Sequence, residues 1–461
     1  DIEGLLGLVG EGLDGPLGRS DPEEWPWLSA TSNDTRPGGK NWDPEEEWLL
    51  ELNAHLPAEI DANTRRYQGV RDRMRREHGG RLPITFVMGQ ASYLEQWASP
   101  EDSVRKVRCV QAAFFVGVNC VTAEMVCGNR KYAKPHLLIF VKVTTTNEHK
   151  RCAAVGPQVV LAVDPVDGKP WCHRKNSLEG FHALIVENTL LAKLETDGSV
   201  GRHGRLAGKE WCKRRLAEDR VFVIPHHHQM AIDLSEPRRR PARGNFMVGV
   251  QGKAWASYYF VPFSVGPADG AKRPIAISTL ETSKTKDIVR TQRGWDMSVS
   301  WLHVPTCGRG ELVFANSAAG VRCRAWLACK SAQRFTNALA LGVPALGYAG
   351  YPSIQDACQG SELCLTTFEA AAAKRTVLDL AADDAKYRRY RESAARLSRA
   401  YHPSQIAQRY AAMARALLAH AEDVHRSPIV DTAECRAVSY THLPAHETRH
   451  DLVCRLLLEK K

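Results

Sequence analysis

Long apolar runs are missing from these 461 residues. Spanning a bilayer takes roughly 18–20 consecutive apolar residues. The best stretches, Leu137–Lys142 and Val159–Val163, are strand-sized, so no transmembrane segment is expected. Cys-x-x-Cys pairs are also missing. The 13 cysteines are scattered, and the six-residue spacing shared by Cys323/Cys329 and Cys358/Cys364 matches no common zinc pattern. Free buried thiols in a reducing compartment are therefore expected rather than a disulfide framework. No G-x-G-x-x-G, P-loop or G-x-S-x-G pattern stands in the right context, which removes the simplest dinucleotide, triphosphate and acyl-transfer readings. The chain begins at Asp1 rather than Met. With no targeting segment in view the expected location is cytoplasmic-like but otherwise unknown.

What is present is an ordinary globular balance, 44% hydrophobic and 25% charged, with a formal charge of +10. At roughly 150 residues per domain, the length fits two large domains. A positive balance suits nucleic acid, a polyanionic small substrate such as a nucleotide diphosphate, or solubility alone. The densest basic run is Arg238-Arg239-Arg240-Pro241-Ala242-Arg243. Aromatic residues are not interleaved with it, as a single-strand platform would require, and no nucleic-acid partner is expected. The run reads as a solvated hinge that could steer anions.

Composition divides the chain. Residues 1–42 are rich in Gly, Pro and Asp and read as a linker or disordered lead. Residues 43–82 read as helical, opened by Asp43-Pro44-Glu45 and closed by His78-Gly79-Gly80. From Pro83 short apolar runs alternate with helix-length segments: Ile84–Met88, His136–Val141, Gln158–Asp164, Phe181–Val186 and Arg220–Pro225. That texture predicts a doubly wound parallel sheet over 83–233. A Pro/Arg linker at 234–244 follows. The strand pattern restarts at Asn245–Val250, Ile275–Ser278, Met297–Leu302 and Val343–Tyr348, predicting a second α/β unit over 245–380. Residues 381–436 read as C-terminal helices, kinked near His402-Pro403 and able to pack back across both units.

The last segment, 437–461, stands apart. Ala437-Val438-Ser439-Tyr440-Thr441-His442-Leu443-Pro444-Ala445-His446-Glu447-Thr448 and then Asp451–Lys461 resemble translated sequencing-adapter read-through. They are excluded from fold reasoning.

The sharpest motif runs from Lys330 to Asp356. Ser331–Leu341 has apolar residues on one helical face, Gly342 suits the left-handed position past the helix end, and Val343–Gly347 reads as a buried strand. Gly350 and Pro352 shape the loop beyond that strand's carboxyl end, the edge where ligands bind in open α/β sheets. This pattern resembles the nucleotide-sugar-binding half of GT-B glycosyltransferases over roughly residues 220–410. The resemblance implies two Rossmann-like domains facing across a cleft, with a nucleotide-sugar donor on the second and a glycan, lipid or protein acceptor on the first. Carried over residue by residue, Lys330 and Arg334 fall at the family's diphosphate-binding cations. Asn337 falls where many retaining members have a glutamate facing the donor, and Cys329 where its partner glutamate would sit. The two-glutamate signature is thus missing. Gly350, Ser353 and Asp356 fall on the loop that contacts sugar or phosphates. The bland readings are a solvated helix face for Lys330 and Arg334 and a helix cap for Asp356.

Ile224-Pro225-His226-His227-His228 closes the first unit and is similar to endings found among GT-B-like sequences. An imidazole there could serve as base for an acceptor hydroxyl or contact the diphosphate. Neighbours alternate sides in extended chain, so His226 and His228 should share a face with His227 opposite. Asp164 ends a buried strand and is the other candidate base. Asp164-Pro165-Val166-Asp167-Gly168 is equally a turn sequence. Asn188 sits at a similar edge. No Asp-x-Asp pair follows a strand, and no metal or cofactor is expected beyond the donor itself. The expectation is a metal-independent glycosyltransferase, with a non-catalytic nucleotide- or glycan-binding protein of the same fold as the first alternative and a basic nucleic-acid-binding protein, favoured only by the charge, as the second.

Overall fold

The computed structural model describes residues 69–88, 107–127, 135–141, 152, 156–165, 178–196, 216–228, 244–251, 274–280, 291–300, 330–348, 350–365 and 370–429. The 1–42 lead, most of the 43–82 segment, Asp167, the Arg238–Arg243 run and the 437–461 tail lie outside them. Residues 69–77 are helical, and the chain leaves that helix through Gly79 at φ 64° and Gly80, whose N–H donates to Arg75 O at 2.8 Å.

Continuous apolar runs become buried parallel strands. The first sheet contains β1 (Ile84–Met88), β2 (Asn119–Thr122), β3 (His136–Val141), β4 (Val159–Asp164), β5 (Ala183–Val186) and β6 (Val221–Val223), ordered β2-β1-β3-β4-β5-β6. Every pairing is parallel. The two-residue period sorts side chains onto two faces. Phe86, Ile139 and Val160 join one core cluster, whereas Val87, Phe140 and Leu161 join another. Burial on both faces is why these strands lack polar alternation.

The second sheet contains β7 (Phe246–Gln251), β8 (Ile275–Leu280), β9 (Met297–Ser300), β10 (Ala345–Tyr348) and β11 (Cys364–Leu365), ordered β11-β10-β9-β7-β8 and again all parallel. Gly249 lets the Trp295 ring lie directly on the β7 backbone, in space that a Cβ would occupy.

The helices are numbered α1 (Ala112–Val116), α2 (Ala123–Cys127), α3 (Thr189–Thr196), α4 (Gln333–Ala340), α5 (Pro352–Cys358), α6 (Ala370–Ala382), α7 (Asp384–Ser398), α8 (Pro403–Leu418) and α9 (Ala421–Arg426). Asp383 separates α6 from α7 by accepting from the N–H groups of Ala385 and Lys386. A 3₁₀ turn and His402-Pro403 then redirect the chain. As a result α7 buries Tyr387, Tyr390 and Leu397 against the second sheet. Helix α8 carries Ile406, Tyr410 and Leu417 into the core of the first. The C-terminal segment therefore crosses between the sheets.

Among the described residues three cysteine pairs correct the free-thiol expectation: Cys109–Cys120, Cys127–Cys152 and Cys358–Cys364 are disulfide-bonded. The pairs close over separations of 11, 25 and 6 residues. Helix α1 ends at left-handed Gly117 and β2 then runs back beside Cys109. Among the described residues no helix is long and apolar enough to cross a membrane.

Candidate functional site

The site begins with one cation. Residues Val107–Gln111 form a π-helical turn leading into α1, and Arg108 on it is completely buried. Its Nη2 lies 2.7 Å from Asp164 Oδ2 and 3.6 Å from Glu187 Oε1. The same guanidinium donates to Ile224 O at 2.8 Å and Pro225 O at 3.1 Å. Asp164 ends β4, Glu187 follows β5, and Ile224-Pro225 follow β6. One arginine thus gathers the carboxyl ends of three neighbouring strands.

His226 is the next residue along. Its Nε2 lies 2.6 Å from Glu187 Oε1, and its Nδ1 is buried without a hydrogen-bond partner among the described residues. Burial alone would raise the Glu187 pKa, but Arg108 and His226 outweigh it and hold the carboxyl below its ordinary range. Burial dominates at Asp164 and, with repulsion from Glu187, pushes it up despite Arg108. Burial would likewise lower Arg108, yet the two carboxylates keep it firmly protonated. The arrangement is a buried imidazole supported by an ionised carboxylate, which can stabilise an imidazolium formed by proton uptake.

The other two histidines go elsewhere. His227 Nε2 faces Gln111 Oε1 at 3.4 Å, with its ring edge-on to Phe115. Burial and the neighbouring cationic groups push its pKa well down, so it stays neutral. The His228 ring meets the His402 ring at 5.5 Å, and its N–H donates to Tyr401 O. Among the described residues no group of three or more His, Cys, Asp or Glu side chains could hold a metal ion.

The second sheet contributes the same kind of edge. In α4, Arg334 is exposed and Lys330, just before the helix, is half-buried. The first turn of α4 holds no acidic residue, and Ala332 provides no side-chain cap. Its N–H groups and two nearby cations therefore make a positive end. Gly342 has φ 68°, the left-handed geometry expected of it. Gly350 is exposed beneath the Tyr348 ring, which occupies the space of a Cβ.

Three donor-side expectations meet a different geometry. Asn337 is 1% exposed, because α4 is buried on all sides from Phe335 to Ala340 and only its first turn, with Arg334, reaches solvent. Ser353 is buried, with its Oγ lacking a hydrogen-bond partner among the described residues. Asp356 lies within α5, not on a loop. Its Oδ2 accepts from Thr189 N–H at 2.7 Å and its Oδ1 from Thr189 Oγ at 2.8 Å. Burial raises the Asp356 carboxyl against the pull of those two bonds. Asp164 is likewise a counter-ion to Arg108 rather than a free carboxylate. Asn188 caps α3 through Leu191 N–H at 2.9 Å.

Sequence reasoning passed over Arg108, Glu187 and Thr189. A lone arginine inside the apolar run Val107–Val118 was a usable signal, since a buried charge demands partners. Glu187, directly after Ile185-Val186, was another.

No protein-family model matches the chain, and no curated protein sequence matches it. Solved structures similar to it include a pneumococcal O-GlcNAc transferase, GtfA, in complex with UDP and GlcNAc. The TM-score is 0.37 at 9% identity, covering 67% of this chain and 60% of that one. The T4 phage BGT in complex with UDP and Mn2+ matches with TM-score 0.38 and 8% identity, over 72% of this chain and 99% of that one. The chain spans 60% of the length of the pneumococcal enzyme. Likeness at this level establishes neither family nor function.

Proposed function

We propose that the chain is a glycosyltransferase using a nucleotide-sugar donor, with its two parallel sheets forming Rossmann-like domains that face one another. One observation carries this reading. Thr189, at the carboxyl edge of the first sheet, bonds Asp356, on the helix leaving the carboxyl edge of the second. Two parallel sheets set edge to edge in this way would border a ligand cleft, since open α/β sheets bind ligands at that edge. The edges are chemically complementary to a transfer reaction. One bears His226 with Glu187; the other bears the positive end of α4 with Lys330 and Arg334.

In the proposed mechanism His226 accepts the acceptor hydroxyl proton at Nδ1 while Glu187 stabilises the imidazolium. The hydroxyl oxygen bonds to the anomeric carbon as the bond from that carbon to the diphosphate oxygen breaks. Lys330, Arg334 and the α4 N–H groups meet the charge that develops on the leaving diphosphate. These cations provide for that charge without a metal ion. His228 and Asp164, the other candidate bases, are second to His226 because each is engaged by the fold.

A thermal-shift titration of the full chain against UDP, GDP, ADP and CMP, with and without EDTA, tests the reading. A ligand binding only the folded state stabilises it by about 2.7 kcal/mol at a hundredfold excess over Kd. One diphosphate should raise Tm regardless of EDTA. A flat response to all four on folded protein would refute the proposal. Binding without transfer or donor hydrolysis would favour the non-catalytic alternative.

A further inference from the structure

Asp356 is better explained as a tie than as a donor ligand. Three consecutive residues after β5 are each held by a different element. Glu187 is held by Arg108 and His226, Asn188 caps α3, and Thr189 is held by Asp356. Asp356 alone of these partners belongs to the second sheet's side. It sits three residues after Ser353 on α5. The contact satisfies both carboxylate oxygens with one residue's N–H and hydroxyl, at the N-terminus of α3, where a negative charge is favoured. The crossing helices secure the same edge independently. Arg409 on α8 donates to Val223 O, and Tyr401 O accepts from His228 N–H.

We propose that Asp356 is a positioning residue: by gripping Thr189 from across the two sheets it sets the Glu187 carboxylate against His226, coupling the donor-side helix α5 to the base. The role in catalysis rests on reading His226 as that base. The grip itself does not. Nothing is transferred between Asp356 and Thr189; the effect passes through two hydrogen bonds and two residues of backbone. Thr189 lacking its hydroxyl should behave like Asp356 lacking its charge, because both changes relax one tie. Ser at position 189 keeps the hydroxyl and should restore it.

The test uses the full chain labelled with ¹³C-histidine, the His226 imidazole resonance being assigned by its loss in His226→Gln. Asp356→Asn and Thr189→Val should each move the His226 resonance in the same direction. The double variant should move it no further than the larger single change, and Thr189→Ser should leave it near the wild-type position. Melting temperatures are read on the same samples, and the cycle should be non-additive there too. Thr189→Val removes only one of the two bonds, so it keeps a folded sample in hand if Asp356→Asn does not. A His226 resonance unmoved in folded Thr189→Val would overturn the proposal, as would a lower Tm with no His226 shift or strictly additive changes. A coupled His226 shift in a protein whose Tm ignores all four nucleotides would sink the glycosyltransferase reading and support the tie.

Discussion

Replacing Arg108 by Met tests whether a single cation organises the first sheet's carboxyl edge. Methionine fills much of the arginine stem's volume but leaves Asp164 without its 2.7 Å partner. Glu187 retains His226 at 2.6 Å, so the stranded charge is chiefly that of Asp164. Removing one partner from a buried ion pair costs about 3–5 kcal/mol. A ceiling exists, because the carboxyl can escape by taking a proton. At pH 7 that costs about 1.4 kcal/mol for each unit between the pH and an ordinary carboxylate pKa near 4, hence about 4 kcal/mol. The two routes agree on about 4 kcal/mol at pH 7. They also fix the sign of the pH dependence. In the variant the folded-state pKa of Asp164 rises further above its unfolded value. The neutral form is then favoured in the folded protein, and stability is regained as pH falls. Between pH 7 and 5 the deficit against wild type should shrink, by at most about 2.7 kcal/mol. Urea midpoints of both proteins at the two pH values, with slopes checked for constancy, measure this. Adding Asp164→Asn to the variant should recover most of the loss at pH 7. A deficit below about 1 kcal/mol, or one equal at both pH values, would refute the view that Arg108 is the counter-ion hub.

Other perturbations separate the parts. His226→Gln should lower transfer by about 10²–10⁴-fold while leaving diphosphate-induced Tm shifts in place, since general-base catalysis acts on the chemical step; a rate within a few-fold of wild type removes it as the base. Lys330→Ala with Arg334→Ala should weaken diphosphate binding and cut turnover by about 10²-fold or more, and unchanged affinity and rate would exclude both from the mechanism. Gly249→Ala places a methyl where the Trp295 ring lies and should cost about 1–3 kcal/mol through overpacking, read as a lower denaturation midpoint. His182 accepts from Leu161 N–H at Nδ1 and faces His425 O through Nε2, an arrangement only the neutral ring satisfies. Burial, with His425 nearby, pushes its pKa down to about 4. The unfolded chain therefore takes up a proton first, and stability should fall by about 3 kcal/mol as pH drops from 6.5 towards 4. His182→Asn should flatten that slope, and an identical slope would refute it.

The strands were legible wherever burial on both faces left an unbroken apolar run. Ile84–Met88 and His136–Val141 form with the expected ends. Strand β2 was not legible, because Asn119-Cys120-Val121-Thr122 lies inside the longer apolar stretch Val107–Cys127, where period cannot separate helix from strand. The fold resolves it with a π turn, a short helix and Gly117 at φ 81°. β11 has two residues, Cys364-Leu365, too short to carry a pattern. The boundary read at 380/381 falls beside the break at Asp383. Alanine and leucine continue on both sides of it, and only the aspartate's bonds to Ala385 and Lys386 N–H mark a new helix.

The candidate site was half legible, and the division follows from how each half is made. Asp164 ends a strand and His226 lies three residues past one, and strand ends are local features that let both be named. Their partners depend on strand order, which no local pattern encodes. Arg108 reaches Asp164 and Glu187 because β1 lies between β2 and β3, sending the π turn over the carboxyl edge of the sheet. Asp356 was expected to meet a ligand because the resemblance places it on the loop that contacts the sugar or phosphates. Its real partner, Thr189, is 167 residues away and belongs to the other sheet. The same carboxylate chemistry that suits a sugar hydroxyl also suits a helix N-terminus and a threonine hydroxyl. Side-chain type therefore points to a polar contact, and in this fold Asp356 makes one with Thr189. The same reasoning separates the three histidines. Alternation along extended chain sends His226 and His227 to different partners, but the turn of chain at Tyr401 and His402 takes His228 away from the face it was expected to share.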